Sequence, residues 1–198
     1  MKRRFKRVYI KQHYTPSKAS KTVYYLNHNS WWDGLIPLYL NSYHFKQHAR
    51  AIMEDEQMIK HPFFSKIGAF SINLKDSKST IRSLRYAINS MKRSNSSLFI
   101  YPEGEITPVS SNQPTFKSGL SWLYKQMEAE VDFVPIALYQ QTFRDSKPEL
   151  YIYIGESTKP TKNLTNQKLT NHFELALQHL LTQTRNVAGF TDEGFKPI

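Results

Sequence analysis

Apolar residues along this chain fall into two kinds of run. The first kind is short, rich in β-branched and aromatic residues, and bounded by turn formers. It includes TVYYLN (22–27), GAFSI (68–72, opened by Gly68), SLFIYPEGE (97–105), VDFVPIALY (131–139) and ELYIYIGES (149–157), with AIM (51–53) as a shorter candidate. These read as strands. The second kind is longer and periodic. In residues 76–94, Ile81, Leu84, Ala87, Ile88 and Met91 recur at helical spacing, with Ser77 or Ser79 as candidate caps. TFKSGLSWLYKQMEAE (115–130) reads as a helix. Residues 163–184 read as a long amphipathic helix carrying Leu169, Phe173, Leu175, Leu177 and Leu180. A further helix is predicted over WWDGLIPLYLN (31–41), capped by Ser30 and kinked or shortened by Pro37. Strands alternating with helices predict an α/β layered domain.

The chain has 198 residues, 39% of them hydrophobic and 22% charged, which fits one soluble globular domain with a real core. It contains no cysteine, which excludes disulfides, thiolate metal sites and cysteine nucleophiles. No apolar run approaches the roughly 20 residues of a membrane-spanning helix, and no secretory signal is apparent.

The net charge is +11 and unevenly placed. Lys2, Arg3, Arg4, Lys6, Arg7, Lys11, Lys18 and Lys21 all precede the first acid, Asp33, and Phe5, Tyr9, Ile10 and Tyr14 are interleaved with them. Residues 1–21 therefore read as a basic segment suited to an anionic membrane surface, at about 1 kcal/mol per cation near the lipid. A solvated basic tail that serves only solubility is the first competing reading; nucleic acid phosphates are the second, but charge alone supports them and no nucleic acid is expected. A cytoplasmic protein, peripheral on the inner membrane face, is the resulting expectation.

Candidate chemistry begins at LNHNSWWDGL (26–35). Five residues along a continuous helix turn by about 140°, so His28 and Asp33 share no helical face. They can meet only if His28 sits before the helix and Asp33 in its first turn. The carboxylate would then accept one imidazole N–H and leave the other nitrogen basic. Taken alone, the pair is as readily a helix-capping aspartate beside an unrelated histidine. It is not alone: YPEGE (101–105) puts Pro102, Glu103 and Gly104 in a turn after a buried strand, where α/β sheets place their ligands. FKSG (116–119) opens a helix, and VPI (134–136) puts proline inside a strand.

In this order, Asn-His-x-x-x-x-Asp, GAFSI, Pro-Glu-Gly, Phe-Lys-x-Gly and Val-Pro-Ile resemble the glycerolipid acyltransferase superfamily, the lysophosphatidic acid acyltransferases and their relatives. The resemblance covers roughly residues 22–140. It implies a mixed central sheet flanked by helices, of the glycerol-3-phosphate acyltransferase-like kind, occupying residues 22–198. It implies acyl transfer from a thioester, acyl-CoA or acyl carrier protein, to a hydroxyl of a lysophospholipid or other lipid-like acceptor, with no metal or further cofactor. His28 would be the general base, supported by Asp33. Lys75, Pro102, Glu103, Gly104, Phe116 and Lys117 would bind substrate.

The chain departs from the family in two places. Lys75 stands near where the second motif usually carries arginine, and Glu105 replaces the threonine that usually follows Glu-Gly. Lysine offers only a point charge, and Glu105 would repel a neighbouring phosphate. A lysophospholipid with a covered phosphate, or a glycolipid such as a carotenoid glycoside, becomes a plausible acceptor. A non-catalytic lipid-binding module of the same fold is the alternative function.

Overall fold

The alternation along the sequence becomes a single mixed sheet in the computed structural model, which describes residues 4–108, 113–128, 130–143, 145–190 and 194–198. Lys2 and Arg3 of the basic segment lie outside the described residues. The strands are β1 (Val8–Gln12), β2 (Lys21–Leu26), β3 (His48–Glu54), β4 (Ala69–Ile72), β5 (Ser96–Ile100), β6 (Val131–Gln141), β7 (Glu149–Ile154) and β8 (Lys196–Pro197). They lie in the order β4-β3-β5-β2-β6-β7-β1-β8. The block from β4 to β6 is parallel, β7 returns antiparallel to β6, β1 pairs parallel with β7, and β8 pairs antiparallel with β1.

The helices are α1 (Ile36–Leu40), α2 (Asp55–Lys60), α3 (Phe63–Lys66), α4 (Ser77–Ser90), α5 (Gly119–Gln126) and α6 (Asn166–Val187). Two layers of side chains explain why the central strands read as continuous apolar runs. Val23 and Tyr25 of β2, with Phe133 and Ala137 of β6, pack under α4, α5 and α6 through Leu84, Leu123, Phe173 and Leu177. Tyr24 and Leu26, with Val134, Ile136 and Leu138, face the other way and meet Ile36, Leu40 and Phe45. Tyr24 stacks on Phe45 at 4.4 Å and on Phe99 at 4.9 Å, and its hydroxyl donates to Gln47 Oε1. Burial drives that hydroxyl's pKa strongly upward, so it remains a neutral donor.

Several local outcomes differ from the sequence expectations. The segment after Ser30 is not one helix. A 3₁₀ turn (Trp31–Leu35) leads into α1 and then a π-turn (Asn41–Phe45). The change of pitch puts Pro37 in the first turn of α1, where its missing N–H costs nothing. Asp76, not Ser77 or Ser79, caps α4 by accepting from Lys78 N. The helix expected from residue 115 begins at Gly119; the Phe116 N–H is taken instead by Glu174 Oε1 at 2.6 Å.

Residues 1–21, expected as a separate basic segment, contribute β1 to the sheet. Its apolar residues are core: Phe5, Val8 and Ile10 bury on one face and Tyr9 on the other, stacked on Tyr151 at 4.7 Å. The cations between them remain at the surface.

Asn27 joins β2 to β6 beyond the last backbone pair. Its side-chain N–H donates to Leu138 O at 2.8 Å, and its Oδ1 accepts from Leu138 N at 2.7 Å. Asn27→Ala strands the buried Leu138 N–H, while Leu138 O keeps the Asn29 side chain, so it should lower stability by about 1–3 kcal/mol. Urea unfolding checks this: the midpoint should fall with the slope unchanged.

Candidate active site

Parallel pairing sets the site. In the β2–β5 ladder, Tyr25 lies opposite Ile100. Three residues further along each chain come His28 and Glu103, leaving the same edge of the sheet side by side. The chain here departs β2 towards β3 on one side, returns to β5, and goes on to β6 on the other side of β2. Such a reversal opens a crevice at the carboxyl ends of the strands.

The turn after β2 is organised by one carboxylate. Asp33 Oδ2 accepts from Asn29 N at 2.6 Å, from Ser30 N at 2.8 Å and from His28 Nδ1 at 3.1 Å, while Oδ1 accepts from Ser30 Oγ at 3.0 Å. The reach from Asp33 back to Ser30 is that of a helix-start capping contact. An ionised carboxylate only accepts, so the hydrogen in this contact is carried by His28 Nδ1, and in the neutral ring the lone pair is then on Nε2. The Asp33 side chain is 4% exposed, that of His28 21%. The arrangement required by the five-residue spacing is therefore the one observed: His28 before the helical turn, Asp33 within it.

The loop after β5 clamps the same histidine. Glu103 Oε1 accepts from His28 N at 2.9 Å, and Thr107 N donates to His28 O at 2.8 Å. Thr107 Oγ1 donates to Glu103 Oε2, completing a small ring of contacts. The Tyr101 ring lies 4.5 Å from that of His28, and its hydroxyl donates to Asp33 O at 2.5 Å. Burial pushes the Glu103 carboxyl up, opposed by its bonds to Thr107 and His28 N. Tyr101, Thr107 and Asn29, which donates to Leu138 O, escaped the sequence reading. Tyr101 could have been found, since it directly precedes the Pro-Glu-Gly turn.

A groove of about 1130 Å³ opens from His28 across the β3–β4 side of the sheet. This exceeds the roughly 300–1,000 Å³ usual for small-ligand pockets. Its walls are largely apolar, with Met53, Phe64, Ile72 and Leu84 among them. Of the residues singled out from sequence, His28, Lys75, Pro102, Gly104 and Lys117 line it. Gly104 has φ of +73°, and a Cβ there would come within 2.8 Å of Lys117 Nζ, so the lysine lies directly over the glycine. Lys75 is paired with Glu56 at 2.6 Å. Glu105 is exposed and also lines the groove.

Two expected residues point elsewhere. The Glu103 carboxylate faces His28 N and Thr107, and Phe116 is buried in the core, edge-on to Tyr25. Of the adjacent tryptophans after Ser30, Trp31 lines the groove, while Trp32 packs against the core face that holds Ile36 and Leu40. Arg50 of β3, not anticipated, adds a guanidinium to the lining. Among the described residues, no cluster of histidines and carboxylates could hold a metal ion, and no helix is long and apolar enough to cross a membrane.

A histidine–aspartate turn thus stands at the carboxyl edge of a mixed sheet, where its parallel strands change direction of crossover. The model of the Acyltransferase family matches residues 7–139, more than half of the chain, which belongs to that family. Its fold is similar to that of the 1-acyl-sn-glycerophosphate (LPA) acyltransferase PlsC from Thermotoga maritima. The TM-score is 0.64 at 18% identity, over 90% of this chain and 72% of that one. No curated protein sequence matches the chain.

The clamp can be tested through pH. Because the folded state raises the Glu103 pKa above its ordinary 4.5, folding holds that proton more tightly. The contribution to stability is full below 4.5 and is lost as pH rises through the raised value. Glu103→Gln removes the titration while keeping an acceptor for His28 N, so the gap between mutant and wild type should shift in the mutant's favour across that window. Glu103→Ala also removes the titration but leaves His28 N unpaired, so it should lie about 1–3 kcal/mol below Glu103→Gln at every pH. Thermal unfolding of the three proteins from pH 4 upward, roughly the carboxylate range, measures both effects.

Proposed function

We propose that this chain is an O-acyltransferase that moves a fatty acyl group from a thioester, acyl-CoA or acyl carrier protein, to a free hydroxyl of a lysophospholipid. The observation that carries the reading is the His28–Asp33 pair at the head of a lipid-sized apolar groove. The similarly folded PlsC is an LPA acyltransferase, which supports the acceptor class.

In this mechanism His28 Nε2 removes the proton from the acceptor hydroxyl as the oxygen attacks the thioester carbonyl. Asp33 holds the Nδ1 proton and stabilises the imidazolium that forms. The tetrahedral intermediate collapses, the carbon–sulfur bond breaks, and His28 returns the proton to the leaving thiolate. The products are an ester and a free thiol, with no acyl-enzyme. Glu103 acts through the His28 backbone, fixing where the imidazole stands. Arg50, Lys75 and Lys117 supply positive charge along the groove for the acceptor headgroup or the donor's phosphates, and the apolar walls take the acyl chains.

Free-thiol release from a panel of acyl-CoAs and acyl carrier protein thioesters, with and without lysophospholipids, tests the reading. Release should depend on the acceptor and fall by about 100- to 10,000-fold in His28→Ala. Asp33→Asn should lower kcat more than it changes KM. Acceptor-independent release, or release unchanged in His28→Ala, would sink the mechanism.

A further inference from the structure

The short helices that wall the groove present a second, outward surface. In α2 and α3, Phe64 is the buried anchor and α2 buries no side chain at all. Ile59 is 78% exposed and Phe63 54% exposed, although both are large and apolar. Phe63 continues into a chain of rings that reaches the groove. It stands 6.0 Å from Phe64, which stands 6.3 Å from both His61 and Trp31, and Trp31 is itself 44% exposed. His61, Phe64 and Trp31 line the groove; Ile59 and Phe63 do not.

The charge around these side chains is divided: Glu54, Asp55 and Glu56 stand at the start of α2, and the lysines follow beyond them. No acid lies between Glu56 and Asp76, while Lys60, Lys66 and Lys75 do. Lys60 and Lys66 are exposed, and Glu56 is already paired with Lys75. An apolar knob flanked by lysines matches the interface of an anionic bilayer, where apolar side chains enter the acyl boundary and cations meet headgroups. A site for nucleic acid or an acidic protein would need no exposed isoleucine and phenylalanine at its centre. The basic residues near the N-terminus offer no comparable knob, since Phe5, Val8, Tyr9 and Ile10 are buried in the sheet.

We infer that the α2–α3 surface, with Ile59 and Phe63 inserted and Lys60 and Lys66 on the headgroups, docks this protein on an anionic lipid surface beside the mouth of the groove. A lipid acceptor would then pass sideways from the bilayer, along the aromatic chain, to His28. The route rests on the acyltransfer reading; the docking itself does not.

The 198-residue chain should be co-sedimented with vesicles of phosphatidylcholine alone and of phosphatidylcholine mixed with phosphatidylglycerol. Wild type should partition to the mixed vesicles. Ile59→Asp/Phe63→Asp should lose at least about tenfold in partitioning, and the gentler Ile59→Ser/Phe63→Ser should lose less, with unfolding midpoints unchanged. Lys60→Glu/Lys66→Glu should lose about tenfold on the mixed vesicles and little on the neutral ones. Lys6→Glu/Lys18→Glu, at the N-terminal end, should bind like wild type. His28→Ala should also bind like wild type, so a failure of catalysis and a failure of docking give different results. The proposal is overturned if wild type ignores the mixed vesicles, if the patch variants bind undiminished, if the N-terminal pair alone abolishes binding, or if the patch proves to join two copies in solution.

Discussion

Everything at this site depends on two parallel strands held in one register. Because β2 and β5 run the same way with Tyr25 opposite Ile100, the loops that leave them emerge together, and a histidine on one meets a glutamate on the other. A slip of one residue would turn every side chain of β2 to the wrong face, exchanging Tyr24 and Leu26 with Val23 and Tyr25 between two cores of different shape. The packing of the interior and the placing of His28 are therefore one constraint. The aromatic stack of Tyr24 on Phe45 and Phe99 maintains the register that brings the backbone of residue 28 to Glu103.

Within that frame, charge is used sparingly. Asp33 is almost fully buried, and its two oxygens accept four hydrogen bonds, two of them from backbone N–H groups. A buried carboxylate without such donors would cost several kcal/mol. Here the turn itself supplies them, so the group that orients the imidazole also shapes the backbone around it. Glu103 plays the matching part from the other loop. The two acids are set to different tasks by their neighbours, one on the histidine ring and one on its main chain.

The sequence conveyed the strands, the long helices and the histidine–aspartate geometry, because these follow from short-range rules: period, caps and the arithmetic of a helical turn. It concealed what depends on distant partners. The N-terminal cations look like a free tail because each is obvious in isolation, whereas Val8 and Ile10 become core only when β7 lies beside them. Glu103 looks like a ligand for substrate until the register puts His28 N within 2.9 Å of it. Phe116 sits in a motif that suggests binding, yet the late start of α5 turns its ring into the core, where a local pattern could not have placed it. Arg50 carries no motif, and its place on the groove follows only from the position of β3 near the sheet edge.

The groove is consequently unequal in stiffness. On one side, His28 is tied by main-chain bonds to Glu103 and Thr107, and Asn27 and Asn29 both bond Leu138 of β6. On the other stand helices of six and four residues, attached chiefly through Phe64. Elements so lightly anchored open at a small fraction of the global unfolding free energy. A change in the width of the groove would therefore fall on α2 and α3, while the imidazole keeps its place. Amide exchange would register this as fast exchange in residues 55–66 beside slow exchange at His28 and Asn29. Yielding and rigidity are thus assigned to opposite banks of one channel.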